Sequence, residues 1–445
     1  MERAIGERLA VGRVAAALLT VIAALVVGGL TIKAPSLAVL AGLGAVFAAA
    51  AVVAAGPLVL LIFPAVFVAR RVGPGTLNMS GADVILVVSA LVALPLVEWH
   101  NAHVRRVAGV MAMYLAVLLV TVVASPGLRA VLELAHRASF LLGGLTVGAA
   151  VGRLGRARDA LRLLVLGAIA VSLAAVVQSV GSGLAPAFPL GLQKNYAGAL
   201  LAMTLIVLFV VPEVLGFNRT TTLVLRGVLF GGIVATQSRG ALAGLLVALA
   251  LWSVVSEGRA VRAVVLVPAV GLVVLAIFLS VQADTDRGRN SDFTPVNARR
   301  ISYEAALKEW RRDPLLGVGL RYYKAPGYRF DVPSYRDTYI EPHSLWYSTL
   351  AESGIVGLIA LAGLVGFSLR ALRQAGGPLA FAAGLVVIAK LTHGMVDIYW
   401  VAGTQTLPWL LVGLAVGRAG TQLVPPGSAV DRSVVARDGV AAGRP

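Results

Sequence analysis

The sequence has no cysteine and little charge, and both absences narrow what the protein can do. Without cysteine, disulfide bonds and thiolate chemistry are excluded. Charged residues make up 13% of the chain, about half of what a soluble domain carries. Hydrophobic residues reach 58%, with a mean hydropathy of +0.88, which excludes a large soluble enzyme. Apolar runs of about 15–22 residues recur, and they predict an all-α, polytopic bundle of transmembrane helices.

Acidic residues are also scarce, with 21 Asp and Glu against 38 Lys and Arg and a net charge of +17. Such an excess could indicate a nucleic-acid partner. Most of it, however, lies in short loops between apolar runs, as membrane topology requires. We therefore expect membrane lipids, and no nucleic acid, as partners.

The apolar runs predict fourteen membrane spans. Two pairs of runs, 36–54 with 57–69 and 222–236 with 240–255, are the weakest, so twelve spans is the alternative. Either even number places both ends of the chain on one side of the membrane. The fourteen runs are 14–30, 36–54, 57–69, 83–97, 107–124, 138–151, 162–180, 196–215, 222–236, 240–255, 261–281, 344–369, 378–392 and 400–417.

Lys and Arg in the short loops predict the orientation. One set of loops holds fifteen of them and the other set seven, so the richer set is predicted to be cytoplasmic. ATP is absent on the outer side, so chemistry there needs an activated substrate delivered by the membrane. The seven outer residues are Lys33, Arg70, Arg71, Arg129, Arg137, Lys194 and Arg239.

Four segments follow from this topology. Transmembrane helices with short loops fill 1–281, and a large periplasmic loop over 282–343 is predicted to cap the active site. Three closing helices occupy 344–417, and the Gly-, Pro- and Arg-rich tail 418–445 is predicted to be disordered and cytoplasmic. In the large loop, Ile301, Ala305 and Trp310 recur at roughly helical spacing behind Asn297, a predicted N-cap. That order favours a folded cap over a disordered loop.

His343 ends the large loop directly before an apolar helix. Imidazole titrates near neutral pH, so this side chain could take a proton from an attacking hydroxyl group. The alternative interpretation is a helix-boundary histidine that bonds to backbone.

A positive cluster is predicted on the same side. A guanidinium pairs with phosphate oxygens in a bidentate way, so two or three such cations could bind a diphosphate. The alternatives are an arginine that anchors a helix at the lipid headgroups and a solvated helix face. The residues concerned are Lys194, Asn195, Arg239, Arg299 and Arg300.

Two acidic features suggest other chemistry. Asp284-Thr285-Asp286 is the type of pair that holds a divalent cation in some transferases, but a lone pair is common by chance, and we expect no metal and no cofactor. Lys390 and Asp397 flank a predicted span and could pair or mark an ion path.

Four motifs, taken in order, resemble the bacterial O-antigen ligase family and its wider ligase/polymerase superfamily. His343-Ser344, nine residues and then Gly354-Ile355-Val356-Gly357 resembles the ligase signature His-[Asn/Ser/Gln]-x9-Gly-x-x-Gly. Residues 298–319 resemble the loop helix and turn of the superfamily, and 193–197 and 238–240 resemble two further signatures. The resemblance covers 185–417.

The resemblance implies an activity. Such a ligase transfers a finished glycan from undecaprenyl diphosphate to the lipid A–core oligosaccharide, at the periplasmic face of the inner membrane. It needs neither nucleotide nor metal, and a single in-line displacement would invert the anomeric configuration. Alternatives are a polysaccharide polymerase or a protein O-oligosaccharyltransferase of the same superfamily. An alternative of another class is a transporter of lipid-linked glycans.

The resemblance also implies roles for residues. His343 would activate the acceptor hydroxyl, and Arg239 with Arg299 or Arg300 would bind the diphosphate. Gly354 and Gly357, at i and i+3 of one helix, would allow close backbone packing. Candidates for further substrate contacts are Lys194, Asn195, Arg321 and Tyr322.

Overall fold

The computed structural model describes residues 56–72, 79–255, 295–321, 342–397, 400 and 403–421. The predicted spans 14–30, 36–54 and 261–281 lie outside the described residues, as do Asp284, Asp286, Tyr322 and most of the predicted tail.

The described part of the chain is helical, which confirms the predicted all-α class. The only strands in these ranges are β1 (Arg71–Val72) and β2 (Met79–Ser80), which form one short antiparallel hairpin. The helices are α1 (Ile62–Ala65), α2 (Gly81–Ala93), α3 (Ala102–Ala124), α4 (Leu128–Ala138), α5 (Gly144–Arg153), α6 (Ala157–Gly181), α7 (Lys194–Val210), α8 (Pro212–Leu215), α9 (Arg219–Thr236), α10 (Arg239–Val255), α11 (Pro295–Trp310), α12 (Leu345–Ala375), α13 (Gly377–Gly394) and α14 (Thr406–Thr421).

Five helices in the described ranges are long and apolar enough to cross a membrane. They are α3, the continuous helix Leu128–Arg153, α6, α12 and α13. Shorter apolar helices, including α7, α10 and α14, pack among them. These lengths and compositions are those of a polytopic membrane protein.

Most predicted spans coincide with observed helices, and three boundaries are corrected. The helix predicted over 138–151 begins at Leu128, because an amphipathic first part precedes the apolar run and a π-helical turn, Ser139–Gly143, joins the two. The span 196–215 ends at Val210, before the short helix that starts at Pro212. The loop helix begins at Pro295, so the predicted N-cap at Asn297 is wrong; proline suits a first helical position.

The weak pair 222–236 and 240–255 forms two separate helices, α9 and α10. Gln237 reverses the chain between them in a left-handed conformation, with φ of +52°. Its side-chain amide donates to the Leu184 carbonyl oxygen at 2.7 Å, which fixes the turn.

Small residues bring helix backbones together in the core. Gly148 of α5 lies against the backbone of Leu410 and Gly413 in α14, so a side chain at this position would collide with it. Gly152 meets the next turn of α14 in the same way. Close packing of this kind replaces the hydrophobic effect as the source of helix association in a lipid environment.

The helix ends sort into two groups. Gly198 of α7 packs on Ser238, Gly240 of α10 packs on His393, and His343 contacts Asp397, so these segments share one end of the bundle. At the other end, Arg106 donates to the Gln374 side chain at 2.6 Å. The segments predicted to be outer therefore lie together, and so do these predicted cytoplasmic ones.

Candidate functional site

His343 is held by a carboxylate from another helix. Its Nδ1 atom lies 3.1 Å from Oδ1 of Asp397, which follows the end of α13. The Asp397 side chain is 2% exposed, whereas that of His343 is 35% exposed. A buried carboxylate that engages Nδ1 fixes the imidazole ring and its tautomer, and it leaves Nε2 for proton transfer.

A second histidine flanks the same carboxylate. His393 lies one helical turn before Asp397, is almost fully buried, and places Nε2 3.5 Å from Oδ2 of Asp397. Its ring packs on Gly240, where an added Cβ would lie 2.5 Å from His393 Cδ2. The glycine of Ser238-Arg239-Gly240 is therefore required by the histidine, and its neighbour Arg239 lies at the same end of the bundle.

Arg239 is the first residue of α10, and two neighbouring segments position it. Ser238 is fully buried, and its hydroxyl oxygen accepts from the Ala241 N–H at 3.4 Å. Gly198 of α7 approaches so closely that an added Cβ would be 2.7 Å from the Ser238 Cβ. Lys194 and Asn195, half-buried in the first turn of α7, consequently lie at this end too.

The loop helix α11 contacts the histidine segment directly. The Tyr303 hydroxyl donates to the His343 carbonyl oxygen at 3.1 Å, and its ring stacks on Tyr347 with centroids 4.4 Å apart. Burial raises the pKa of Tyr303, although the charge of Arg299 opposes the shift. The phenol therefore stays protonated at neutral pH and keeps its role as a donor.

The structure separates the two neighbouring arginines of α11. Arg299 is half-buried and within electrostatic reach of both Tyr303 and His393. The Arg300 side chain is 75% exposed and lies 3.4 Å from Glu304 one turn along the same helix. Arg299 thus lies with His343, Asp397 and His393, which we call the His343 cluster. Arg300 lies on the solvent-exposed face of α11.

Helix α12 is interrupted at Gly354. The prediction of a continuous helix through this motif is therefore wrong. Gly354 has φ of +63° and ψ of −166°, which is a conformation open to glycine. The turn after α11 inserts at this point: the Ile355 N–H donates to the Pro314 carbonyl at 3.0 Å, and the Val318 N–H donates to the Ala351 carbonyl at 2.9 Å. The expected close packing is present, since an added Cβ on Gly354 would collide with the Leu315 carbonyl.

A family profile described as O-antigen ligase matches residues 224–362. The matched region runs from α9 to the middle of α12, and it contains Arg239, Arg299, His343 and Gly354. This match over about a third of the chain supports the O-antigen ligase family. No curated protein matches the chain. Together with the apolar helices, the match supports a glycosyltransferase-like membrane protein of the O-antigen ligase/polymerase superfamily.

Two further residues singled out from the sequence have polar partners within the protein. Arg321, a candidate substrate ligand, instead places Nε 2.9 Å from Oε2 of Glu133, and its backbone N–H donates to Glu352 at 3.1 Å. Lys390 is buried, donates to the Thr404 hydroxyl at 3.2 Å and lies within electrostatic reach of Asp397, which also engages His343. Among the residues that the structure describes, no three acidic or histidine side chains are placed to hold a metal ion.

Sequence reasoning missed three members of the site: Asp397 as the partner of His343, His393 and Tyr303. A signal for the first two was present. His393 and Asp397 are four residues apart at the end of an apolar run, and ionisable residues at such a position are functional candidates by default. Tyr303 carried no comparable signal, because its role depends on where α11 lies.

Proposed function

We propose that this protein is an O-antigen ligase of the bacterial inner membrane, which transfers a glycan from undecaprenyl diphosphate to the lipid A–core oligosaccharide at the periplasmic face. The observation that carries the proposal is the contact between the accessible imidazole of His343 and the buried carboxylate of Asp397. It lies at the end of the bundle that charge distribution predicts to be periplasmic.

His343 acts as the general base. Its Nε2 takes the proton of the acceptor hydroxyl while the hydroxyl oxygen attacks the anomeric carbon of the glycan. The bond from that carbon to the phosphate oxygen breaks, undecaprenyl diphosphate leaves, and the configuration inverts. Asp397 holds the tautomer and stabilises the imidazolium that forms, and general-base catalysis of this kind contributes about 10²–10⁴-fold.

Arg239 and Arg299 bind the diphosphate. Negative charge grows on the leaving group as the glycosidic bond breaks, so cations placed beforehand stabilise the transition state more than the ground state. Arg239 lies at the N-terminus of the 17-residue helix α10, where the helix dipole also favours an anion. The contacts of the two arginines of α11 support Arg299 over Arg300 for this role.

The acceptor decides between the ligase and its relatives. A polymerase would use a second lipid-linked glycan, and a protein O-oligosaccharyltransferase would use a serine or threonine hydroxyl. The His-Ser-x9-Gly-x-x-Gly pattern favours the ligase, and the family match at 224–362 supports the superfamily that includes it. A transporter would need its ionisable groups along a path through the bilayer, whereas His343, Asp397 and His393 gather at one end.

The test is a reconstituted transfer reaction. Purified protein is incubated with undecaprenyl-diphosphate glycan and lipid A–core acceptor, and the products are resolved on a gel. We expect wild type to move the glycan to the acceptor and His343→Ala to lose about 10²–10⁴-fold of the rate. His100→Ala, an exposed histidine in the α2–α3 connection, is the matched control and should retain activity.

Two results would contradict the ligase, and one would contradict its mechanism. Lengthening of the lipid-linked glycan with no use of the acceptor would establish a polymerase. Wild-type turnover by His343→Ala would remove the general base. Movement of intact lipid-linked glycan across vesicles, without a covalent product, would establish a transporter.

A further inference from the structure

A buried network of four charges joins three segments of the bundle. Arg137 of α4 places Nε 2.9 Å from Glu133 on its own helix, and Nη2 2.7 Å from Glu352 on α12. Glu133 in turn lies 2.9 Å from the Arg321 guanidinium. The side chains of Arg137, Glu133 and Glu352 are 2%, 7% and 4% exposed, so the network is closed to solvent.

The network lies where the outer loop packs against the break in α12. Glu352 lies two residues before the break, and its backbone carbonyl accepts from the Gly319 N–H at 3.1 Å. Its carboxylate accepts from Arg137 and from the Arg321 N–H. Gly317 lies so close to the backbone of Glu352 and Ser353 that an added Cβ would be 2.5 Å away. One residue therefore ties backbone and side chain of the loop to the helix.

Arg137 suits this role better than any other basic residue could. Its planar fork reaches two carboxylates on two helices at once, which a lysine ammonium on a single flexible stem does not reproduce. The guanidinium also lies 4.7 Å above the ring of Trp400, which stacks on Tyr114. These contacts hold the guanidinium of Arg137 in one orientation and at one position.

A buried ion network is costly to desolvate and is weak evidence of stabilisation in itself. The position of the network nevertheless has a consequence for His343. Glu352 is the ninth residue after His343, and the loop holds both ends of this stretch: Tyr303 bonds the His343 carbonyl, and segment 317–321 bonds Glu352. Fixing the Glu352 end therefore fixes the helical piece that begins directly after His343.

We propose that Arg137 is a positioning residue for the transfer reaction. With Glu133 and Glu352 it clamps segment 317–321 to the break in α12, and through α12 it sets the position of His343. The activity readout of this inference rests on the proposed function. Hydrogen exchange of the clamped backbone is a second readout that does not.

The first experiment replaces Arg137 by lysine, which keeps the charge and loses the two-carboxylate bridge. We expect amides in the peptide that covers 313–321 to exchange roughly tenfold faster. The turnover number should fall about tenfold because the catalytic group is displaced, with little change in the Michaelis constant. Arg156→Lys is the matched control, since Arg156 pairs with Asp159 at a half-exposed site and should change neither quantity. If Arg137→Lys does not fold, Glu352→Gln takes its place, because its shape is kept and its charge removed.

The second experiment restores the clamp by other means. The chain has no cysteine of its own, and the Val356 N–H donates to the Leu315 carbonyl at 3.3 Å, so the two backbones meet at this junction. The pair Leu315→Cys and Val356→Cys is therefore oxidised, and formation of the disulfide is verified by mass spectrometry before turnover is measured. In the Arg137→Lys background, we expect the oxidised protein to recover turnover and slow exchange, and the reduced protein to recover neither.

The outcomes separate the two proposals. Slow exchange and full turnover in Arg137→Lys would overturn the clamp, and so would a formed disulfide that leaves turnover low. If wild type transfers no glycan at all, the proposed function fails, and the exchange measurement still decides whether Arg137 holds the loop.

Discussion

Two clusters of buried charge lie near the same loop, and they differ in what they leave open. In the Arg137 cluster, guanidinium groups and carboxylates pair with each other, and every charged side chain is at most 11% exposed. In the His343 cluster, a buried carboxylate serves an imidazole that is 35% exposed. The first arrangement keeps its charged groups inside the protein, whereas the second presents one of its polar groups to a substrate.

The difference shows why burial of charge alone does not identify an active site. Reciprocal pairing satisfies carboxylates and guanidiniums and is what a structural junction requires. Catalysis requires a reactive group that buried neighbours hold in one orientation and that remains accessible to the substrate. By this criterion Arg321 belongs with the junction, although the sequence suggested a substrate ligand.

The same acid-to-amide change at Asp397 and at Glu133 gives the largest contrast. Asp397→Asn should lower turnover by about 10²-fold or more, because an amide supports the wrong histidine tautomer and no imidazolium. It should lower the melting temperature less than Glu133→Gln does. Glu133→Gln should instead lower the melting temperature, because Arg137 and Arg321 lose a shared buried partner.

Turnover and thermal unfolding of the two purified variants check this contrast. A fully active Asp397→Asn would mean that the contact with His343 is structural, and the distinction between the clusters would disappear.

The next contrast tests which arginines belong to the His343 cluster. Lysine at Arg239 or Arg299 should lower turnover by about 10–10²-fold, because bidentate contact with the diphosphate is lost while charge is kept. Lysine at Arg300, on the exposed face beside Glu304, should change turnover by less than about twofold. Initial rates at saturating acceptor measure all three, and equal losses at Arg299 and Arg300 would show that both face the donor.

Much of this arrangement is readable from sequence, because composition and hydropathy act locally. The apolar runs gave α3, α6, α9, α10 and α13 with small errors at their ends. The excess of Lys and Arg separated the two groups of loops before any helix was packed. Motif residues also indicated His343 and Arg239.

What the sequence could not predict depends on distant partners. Asp397 is 54 residues from His343, and only the packing of α13 beside α12 joins them. The start of α4 was assigned to a loop because Glu133 and Arg137 are charged, and one of the two carboxylates that pair with Arg137, that of Glu352, is 215 residues away. Gly354 adopts a left-handed φ because a turn from the outer loop supplies backbone hydrogen bonds there. No local pattern records such an insertion.

The smallest expected effect comes from one added methyl group at Gly240, where α10 packs on His393. In Gly240→Ala the new Cβ would lie 2.5 Å from His393 Cδ2, so the ring, and with it Asp397, must move. We expect turnover to fall by about fivefold, since a displaced supporting residue shifts His343 by a fraction of an ångström. Gly227→Ala on α9 is the control: nothing lies within 4 Å of its Cβ, and alanine favours the helix by about 0.5–1 kcal/mol. If both variants keep full turnover and equal stability, His393 does not couple Arg239 to Asp397, and the cluster divides into two independent halves.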